Sequence, residues 1–317
     1  MKSKSSTSSL TQGAILSAIT VIVYLASIYV PIFNILCVLV AHLPIVYMYY
    51  KHGAKYSVMV AVVSCIILFI LSGPSYAITY LFTNAFVGFV LGYYTTKKQS
   101  SIVILGILSL TILLSTGILL KIVESFSSVD IISESVNQVI NSFETSLSTL
   151  KQAGIESPLN SININDFKDY LLMSVPSIAL AYSIVMSYIY YIVTEKSLKR
   201  FDVKLEKIAP FSKWYVPSII AYPTMILFFI TMFMKSEELV PLIFTINTLF
   251  TMVFSLNALA TISYYLKEAN FPKIAIVLII VAVFLLLPNI LMFVGLFEYA
   301  FNLRKLDKKR ASFRQKK

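Results

Sequence analysis

Charge is scarce in this chain. Only 13% of its 317 residues are Asp, Glu, Lys or Arg, about half the share found in a soluble domain. Histidine and cysteine occur twice each, and no His-Glu-x-x-His pattern is present, so a zinc site lacks ligands. Cys37 and Cys65 both lie inside apolar runs, where a free thiol behaves as a small hydrophobe and no disulfide framework is expected. No glycine-rich loop ending in Gly-Lys-Ser/Thr occurs, so the chain cannot drive a process with ATP by itself. No acid, base and nucleophile form a cluster that can be named. These absences predict a protein that is not an enzyme, with no catalytic residue, metal or cofactor.

What the chain has in abundance is apolar sequence, 58% of all residues, with a mean hydropathy of +0.82. The apolar residues gather in long blocks separated by short charged clusters, the pattern that a hydrocarbon core of about 30 Å imposes on spanning helices. Eight blocks are clear, at 10–30, 32–50, 56–71, 76–94, 102–121, 170–193, 216–234 and 239–265. The expected fold class is all-α, a polytopic membrane helix bundle of eight clear spans plus a C-terminal hairpin or re-entrant pair. Pro31 marks a tight turn after the first block, and Gly73-Pro74 breaks the third from the fourth. The basic start at Lys2 and Lys4 could open a signal peptide. A second block follows at once at Ile32, and Tyr24-Leu-Ala-Ser-Ile-Tyr-Val is a poor cleavage site, so an uncleaved first helix is expected.

Lysine and arginine set the orientation. With the N-terminus inside, the connectors 1–9, 51–55, 95–101, 194–215 and 266–273 are cytoplasmic and carry fourteen basic residues. The opposite side carries Lys121, Lys151, Lys168 and Lys235 together with nine acids, the asymmetry expected of positive-inside insertion. As one helix, 274–303 would run roughly 45 Å and place the basic tail 304–317 outside. A hairpin bent near Pro288-Asn289 returns it inside. Localisation in a bacterial cytoplasmic membrane, with both termini cytoplasmic, follows. The net charge of +11 is accounted for by this asymmetry and by a tail lying against anionic headgroups. The lipid bilayer is the expected partner, and nucleic acid is not.

The chain divides into a five-helix membrane region (1–122), an acidic extracytoplasmic segment (123–169), a second membrane region (170–303) and the basic tail (304–317). Within 123–169, the residues Ile132, Val136, Val139, Phe143, Leu147 and Leu150 recur at spacings of three and four, which predicts an amphipathic helix over 130–152. Asp130 or Ser133 would cap it and Gly154 would end it. It is either a packing helix on the outer surface or a lid over a site.

Ionisable groups at membrane depth are costly and usually functional. Here they reduce to His42, with Glu298 near the end of the last block; His52, beside Lys51 and Lys55, reads as interfacial and solvated. No Asp or Glu lies inside the eight clear blocks, which disfavours proton coupling. Neutral polar groups remain, and the candidate ligand-binding residues are His42, Asn84, Tyr182, Asn247 and Asn257. Asn247, Thr251 and Ser255 share one helix face, either bonding to adjacent helices or lining a cavity. Small residues four apart mark close helix approach. Ala14 and Ala18, overlapping Gly13 and Ser17, form one such stripe, which could face a separate protein; Gly88 and Gly92 form another.

The opening Leu10-Thr-Gln-Gly-Ala-Ile-Leu-Ser-Ala18, the Lys51-His-Gly-Ala-Lys55 turn and Val87-Gly-Phe-Val-Leu-Gly92 resemble substrate-binding S components of energy-coupling factor transporters, over residues 1–193 at most. The whole chain more closely resembles the YybS-type uncharacterised membrane proteins of Firmicutes, through Tyr264-Tyr-Leu-Lys-Glu-Ala-Asn-Phe-Pro-Lys273 and Gly295-Leu-Phe-Glu-Tyr-Ala-Phe-Asn-Leu-Arg304. The S-component resemblance implies a small-molecule ligand of vitamin size, enclosed by the outer halves of the helices. It also implies an ATPase-coupled transport module docked on Ala14 and Ala18. About 120 residues beyond the sixth helix have no counterpart in S components. The function expected is a small-molecule-binding or transport component; the alternative is a membrane scaffold or regulator linked to the envelope or to sporulation.

Overall fold

The computed structural model describes residues 6–153, 163–203, 205–234, 236 and 239–306. Gly154, Lys204, Lys235 and the tail beyond Leu306, all used in the sequence reading, lie outside the described residues. Among those described, every regular element is helical. In chain order they are α1 (Ser6–Tyr29), α2 (Asn34–Val40), α3 (Leu43–His52), α4 (Ala54–Ser72), α5 (Pro74–Tyr80), α6 (Phe86–Thr96) and α7 (Ser101–Ser127). The amphipathic α8 (Ile131–Gln152) follows, then α9 (Ile164–Leu198), α10 (Ser218–Thr231), α11 (Val240–Glu268), α12 (Lys273–Leu286) and α13 (Pro288–Phe301).

Backbone chemistry sets the joints. Gly53 (φ 88°) and Gly73 (φ 90°) break α3 from α4 and α4 from α5, in a conformation that a Cβ disfavours. Pro44 cannot donate to the carbonyl of Val40, and the second span is interrupted at Ala41–His42 for that reason. The fourth span is continuous from Pro74 to Thr96 but contains a π-helical stretch at Leu81–Ala85. Asp130 caps α8, accepting from the amides of Ile132 (3.0 Å) and Ser133 (3.1 Å). The buried face of α8 is Val136, Ile140 and Leu147. Val139, placed on that face by the spacing, is 50% exposed; Ile140 takes the position one residue on.

Among the described residues, seven helical segments are long and apolar enough by length and composition to cross a membrane, from Thr7–Tyr29 to Val240–Glu268, and the remaining block forms a shorter apolar helix. The block at 216–234 yields only the 14-residue α10, about 21 Å long. Val216 precedes Pro217, and a residue before proline is steered away from helix. The chain turns out of helix again at Met232.

The last apolar stretch does fold back. Thr251 meets Met292, Gly295 lies against Phe254 and Ala258, and Asn257 bonds Glu298, so α13 runs beside α11 in the same direction. Between them α12 leaves the C-terminal end of α11 and clusters Ile280 and Val283 with Leu259 and Ile262. The bend falls at Leu287 (φ −133°, ψ 44°). Each arm has 14 residues, about 21 Å, short of a core of about 30 Å.

Contacts group the chain into two units. The first is Met1–Lys168 with Ile178–Ile208; the second is Asp169–Ser177 with Ala209–Lys317. Most of α9 therefore packs with the N-terminal helices, whereas the linear division above cuts near its start. In the first unit, one core joins α1, α4 and α5 around Tyr24 and Tyr80, whose rings meet edge-on at 5.2 Å. Another joins α3, α6, α7 and α9 around Val46, Leu91, Leu108 and Tyr191. In the second unit α10, α11 and α13 close around Phe250, Phe254 and Tyr299.

Candidate functional site

An interrupted helix and one with a π-helical stretch meet in the first unit. Gly88, just after the π-helical stretch, sits so close to α3 that a Cβ there would lie 2.8 Å from the His42 carbonyl and 2.9 Å from Ile45. A Cβ on Gly92, one turn on, would overlap Tyr49. This small-residue stripe thus seats α6 on α3 by direct backbone approach. Each of the two helices carries a buried polar group near the crossing. His42 is fully buried, its ring edge-on to Tyr190 at 4.8 Å, with Nε2 2.6 Å from Thr194 Oγ1. Thr194 donates its hydroxyl hydrogen to the Tyr190 carbonyl at 2.7 Å, which leaves its oxygen able to accept from the histidine ring.

Asn84 lies in the π-helical stretch, one turn before Gly88, and is also fully buried. Its Nδ2 donates to Thr83 Oγ1 at 2.9 Å, but Oδ1 has no partner. A buried carbonyl without a donor is costly, and π-bulges recur at functional sites. A ligand donor reaching Asn84 would supply the missing hydrogen bond.

The other candidate residues do not join this pair. Tyr182, in the first unit, is 49% exposed. Asn247 and Asn257 belong to the second unit. Asn247 accepts from Thr231 of α10 at 2.9 Å. Asn257 donates to the Gly295 carbonyl (2.9 Å) and to Glu298 (2.7 Å). Glu298 in turn accepts from Arg304 Nε at 3.0 Å, and both side chains are sealed from solvent. The guanidinium also donates to Asn257 Oδ1 and to the carbonyls of Ser212 and Trp214. Arg304, the first residue of the expected tail, is therefore an internal group, and the network pins the segment before α10 to the end of α13. Its residues are scattered across three segments, so no spacing announces it; the one available signal is an Arg six residues after a Glu at the close of an apolar run.

His52 also departs from expectation. Rather than standing solvated, its ring bonds Ser9 Oγ (2.7 Å) and Gln12 Oε1 (2.8 Å) of α1. On α1 the two overlapping stripes separate: Gly13 and Ser17 are buried against α4, whereas Ala14 and Ala18 face outward. Among the described residues no cluster of His, Cys, Asp and Glu could hold a metal ion.

A family model described as a predicted membrane protein (DUF2232) matches residues 18–297. The uncharacterised protein YybS of Bacillus subtilis (strain 168) is 22% identical over 282 residues, covering 87% of this chain and 90% of its own. No solved structure matches the chain significantly.

Proposed function

The chain belongs to the DUF2232 family of predicted membrane proteins, and from that premise we propose that it is a non-catalytic, small-molecule-binding component of a transport system in a bacterial cytoplasmic membrane. One observation carries this reading: near the contact of the second and fourth spans the second is interrupted at Ala41–His42 and the fourth carries a π-helical stretch, with His42 buried and the buried Asn84 carbonyl unpartnered. Broken helices within a membrane expose backbone and polar side chains to a solute, and transporters use them for binding. Ala14 and Ala18, outward-facing on α1, leave a smooth strip for a coupling protein. The basic connectors support a cytoplasmic position for both ends of the described chain.

The test is recovery of the solute. Protein purified in mild detergent is expected to release a small molecule on denaturation, detected by mass spectrometry, and Asn84→Leu is expected to abolish it. The same preparation should carry an ATPase-bearing partner that Ala14→Leu weakens. Absence of both the solute and the partner from the parent protein would sink the proposal.

A second reading, a membrane scaffold or regulator, draws on the second unit. There the charges of Glu298 and Arg304 are engaged with each other and with the backbone, an arrangement that fixes structure. Under that reading, loss of the basic tail removes the biological effect while insertion is retained.

A further inference from the structure

The turn from α6 to α7 builds a polar cleft of about 840 Å³, lined by Tyr50, Thr95, Lys98, Gln99, Ser100 and Glu206 among others. This volume lies in the range that holds small organic ligands. Three features of the cleft concern anions. First, the 27-residue α7 begins at Ser101, and its N-cap residue Ser100 makes no side-chain capping bond. Second, the protein already sets an anion at that terminus: Glu206 Oε2 accepts from the Ser101 amide at 2.6 Å. Glu206 is itself exposed and lies on a stretch without regular structure. Third, Thr95, one of the lining residues, is 3% exposed, and its hydroxyl has no hydrogen-bond partner.

A helix N-terminus favours negative charge through its unpaired amides and dipole. A buried hydroxyl without a partner is a donor in waiting, since leaving it unpaired costs free energy. Lys98, held at φ 52° on the turn, adds a cation to the same wall. Amide, hydroxyl and ammonium are three donor types carried by this one turn, and a phosphate offers more oxygens to such a set than a carboxylate does.

We propose that this cleft binds a phosphate-bearing anion, with Glu206 occupying the anion position in the empty state and withdrawing when the ligand enters. The phosphate would belong either to a phospholipid headgroup or to a soluble phosphorylated molecule. The site is separate from the His42 and Asn84 crossing, and its success or failure leaves the reading of that crossing untouched.

The test uses the full chain in nanodiscs, with Cys37 and Cys65 replaced by Ala and Gln99→Cys as a reporter for a neutral maleimide. In phosphatidylcholine discs, inorganic pyrophosphate is expected to slow labelling severalfold. Thr95→Val should raise the pyrophosphate concentration required by about tenfold, the loss of one hydrogen bond to a charged group. Glu206→Gln should lower it, because no carboxylate then competes for the amide. Phosphatidylglycerol discs distinguish the source: protection without added pyrophosphate assigns the site to lipid, and protection only with it assigns the site to a soluble ligand. Protection in neither system, or protection indifferent to Thr95→Val, overturns the proposal. Should Glu206→Gln fail to fold, the Thr95 comparison decides alone.

Discussion

Arg304 donates to Glu298 at 3.0 Å across a contact that solvent does not reach, the two side chains being 0% and 4% exposed. Removing one member of such a pair strands the other, at about 3–5 kcal/mol, whereas replacing both costs much less. Arg304→Met is therefore expected to lower the unfolding temperature in detergent sharply. The double variant Glu298→Met with Arg304→Met should recover part of that loss. Additive losses would show that the two residues act independently.

Close backbone approach gives a second prediction. A Cβ on Gly295 would run into the Phe254 carbonyl, and one on Gly88 into Ile45 and the His42 carbonyl, whereas Gly106 on α7 has open space around it. Gly295→Ala and Gly88→Ala should each destabilise by about 1–3 kcal/mol or more. Gly106→Ala should be neutral or slightly stabilising, since alanine favours helix. Equal effects at the three positions would refute the packing drawn here.

Spans and joints were legible in the sequence because they depend on local chemistry. Apolar blocks gave helices, Gly73-Pro74 gave a break, Asp130 gave a cap, and the proline near 288 gave the hairpin. Facing was less legible: Gly13 and Ala14 are neighbours in overlapping motifs, yet one is buried and the other exposed, because a single residue rotates the helix face by about 100°. Partnerships over long separations were not legible at all. His42 meets Thr194 across 152 residues, and Arg304 reaches Ser212 across 92. At the edge of an apolar run an arginine reads as the start of a solvated tail, and only the folded hairpin brings carbonyls and a carboxylate to it.

Orientation rests on the basic connectors and gives a third prediction. With Cys37 and Cys65 removed, single cysteines at Ala209 and Lys305 should resist an impermeant thiol reagent in intact cells. A cysteine at Ser128 should react. Reaction at Ala209 with protection at Ser128 would invert the topology.

Asp130 supplies a pH dependence. Hydrogen bonds from the hydroxyl and then the amide of Ser133 hold its carboxyl below the usual carboxylate range. A depressed value means that the cap stabilises α8 fully above the unfolded value of about 3.9 and is lost as pH falls through the lower folded one. Amide exchange of Ile132 and Ser133, corrected for intrinsic rates, should stay protected from neutral pH down to about pH 5 and rise below about pH 4. Asp130→Ala should show weak protection at every pH. A parent protein without this dependence would exclude the capping role.

Asn84 allows binding to be separated from stability. If its role were structural, replacing it would remove something the fold needs, and Asn84→Leu would destabilise in step with any loss of function. The geometry argues the reverse. Oδ1 is buried with no donor, so in the empty protein the carbonyl is a cost of about 1–3 kcal/mol, set against one side-chain bond from Nδ2 to Thr83. Leucine of similar volume removes both. Asn84→Leu is therefore expected to hold or raise the unfolding temperature while eliminating the bound solute, whereas Thr194→Val, which strands the His42 ring nitrogen, should lower it. Stability and binding moving in opposite directions is the pattern of a residue kept for a ligand. A destabilised Asn84→Leu that still retains the solute would assign Asn84 to the packing of the fourth span instead.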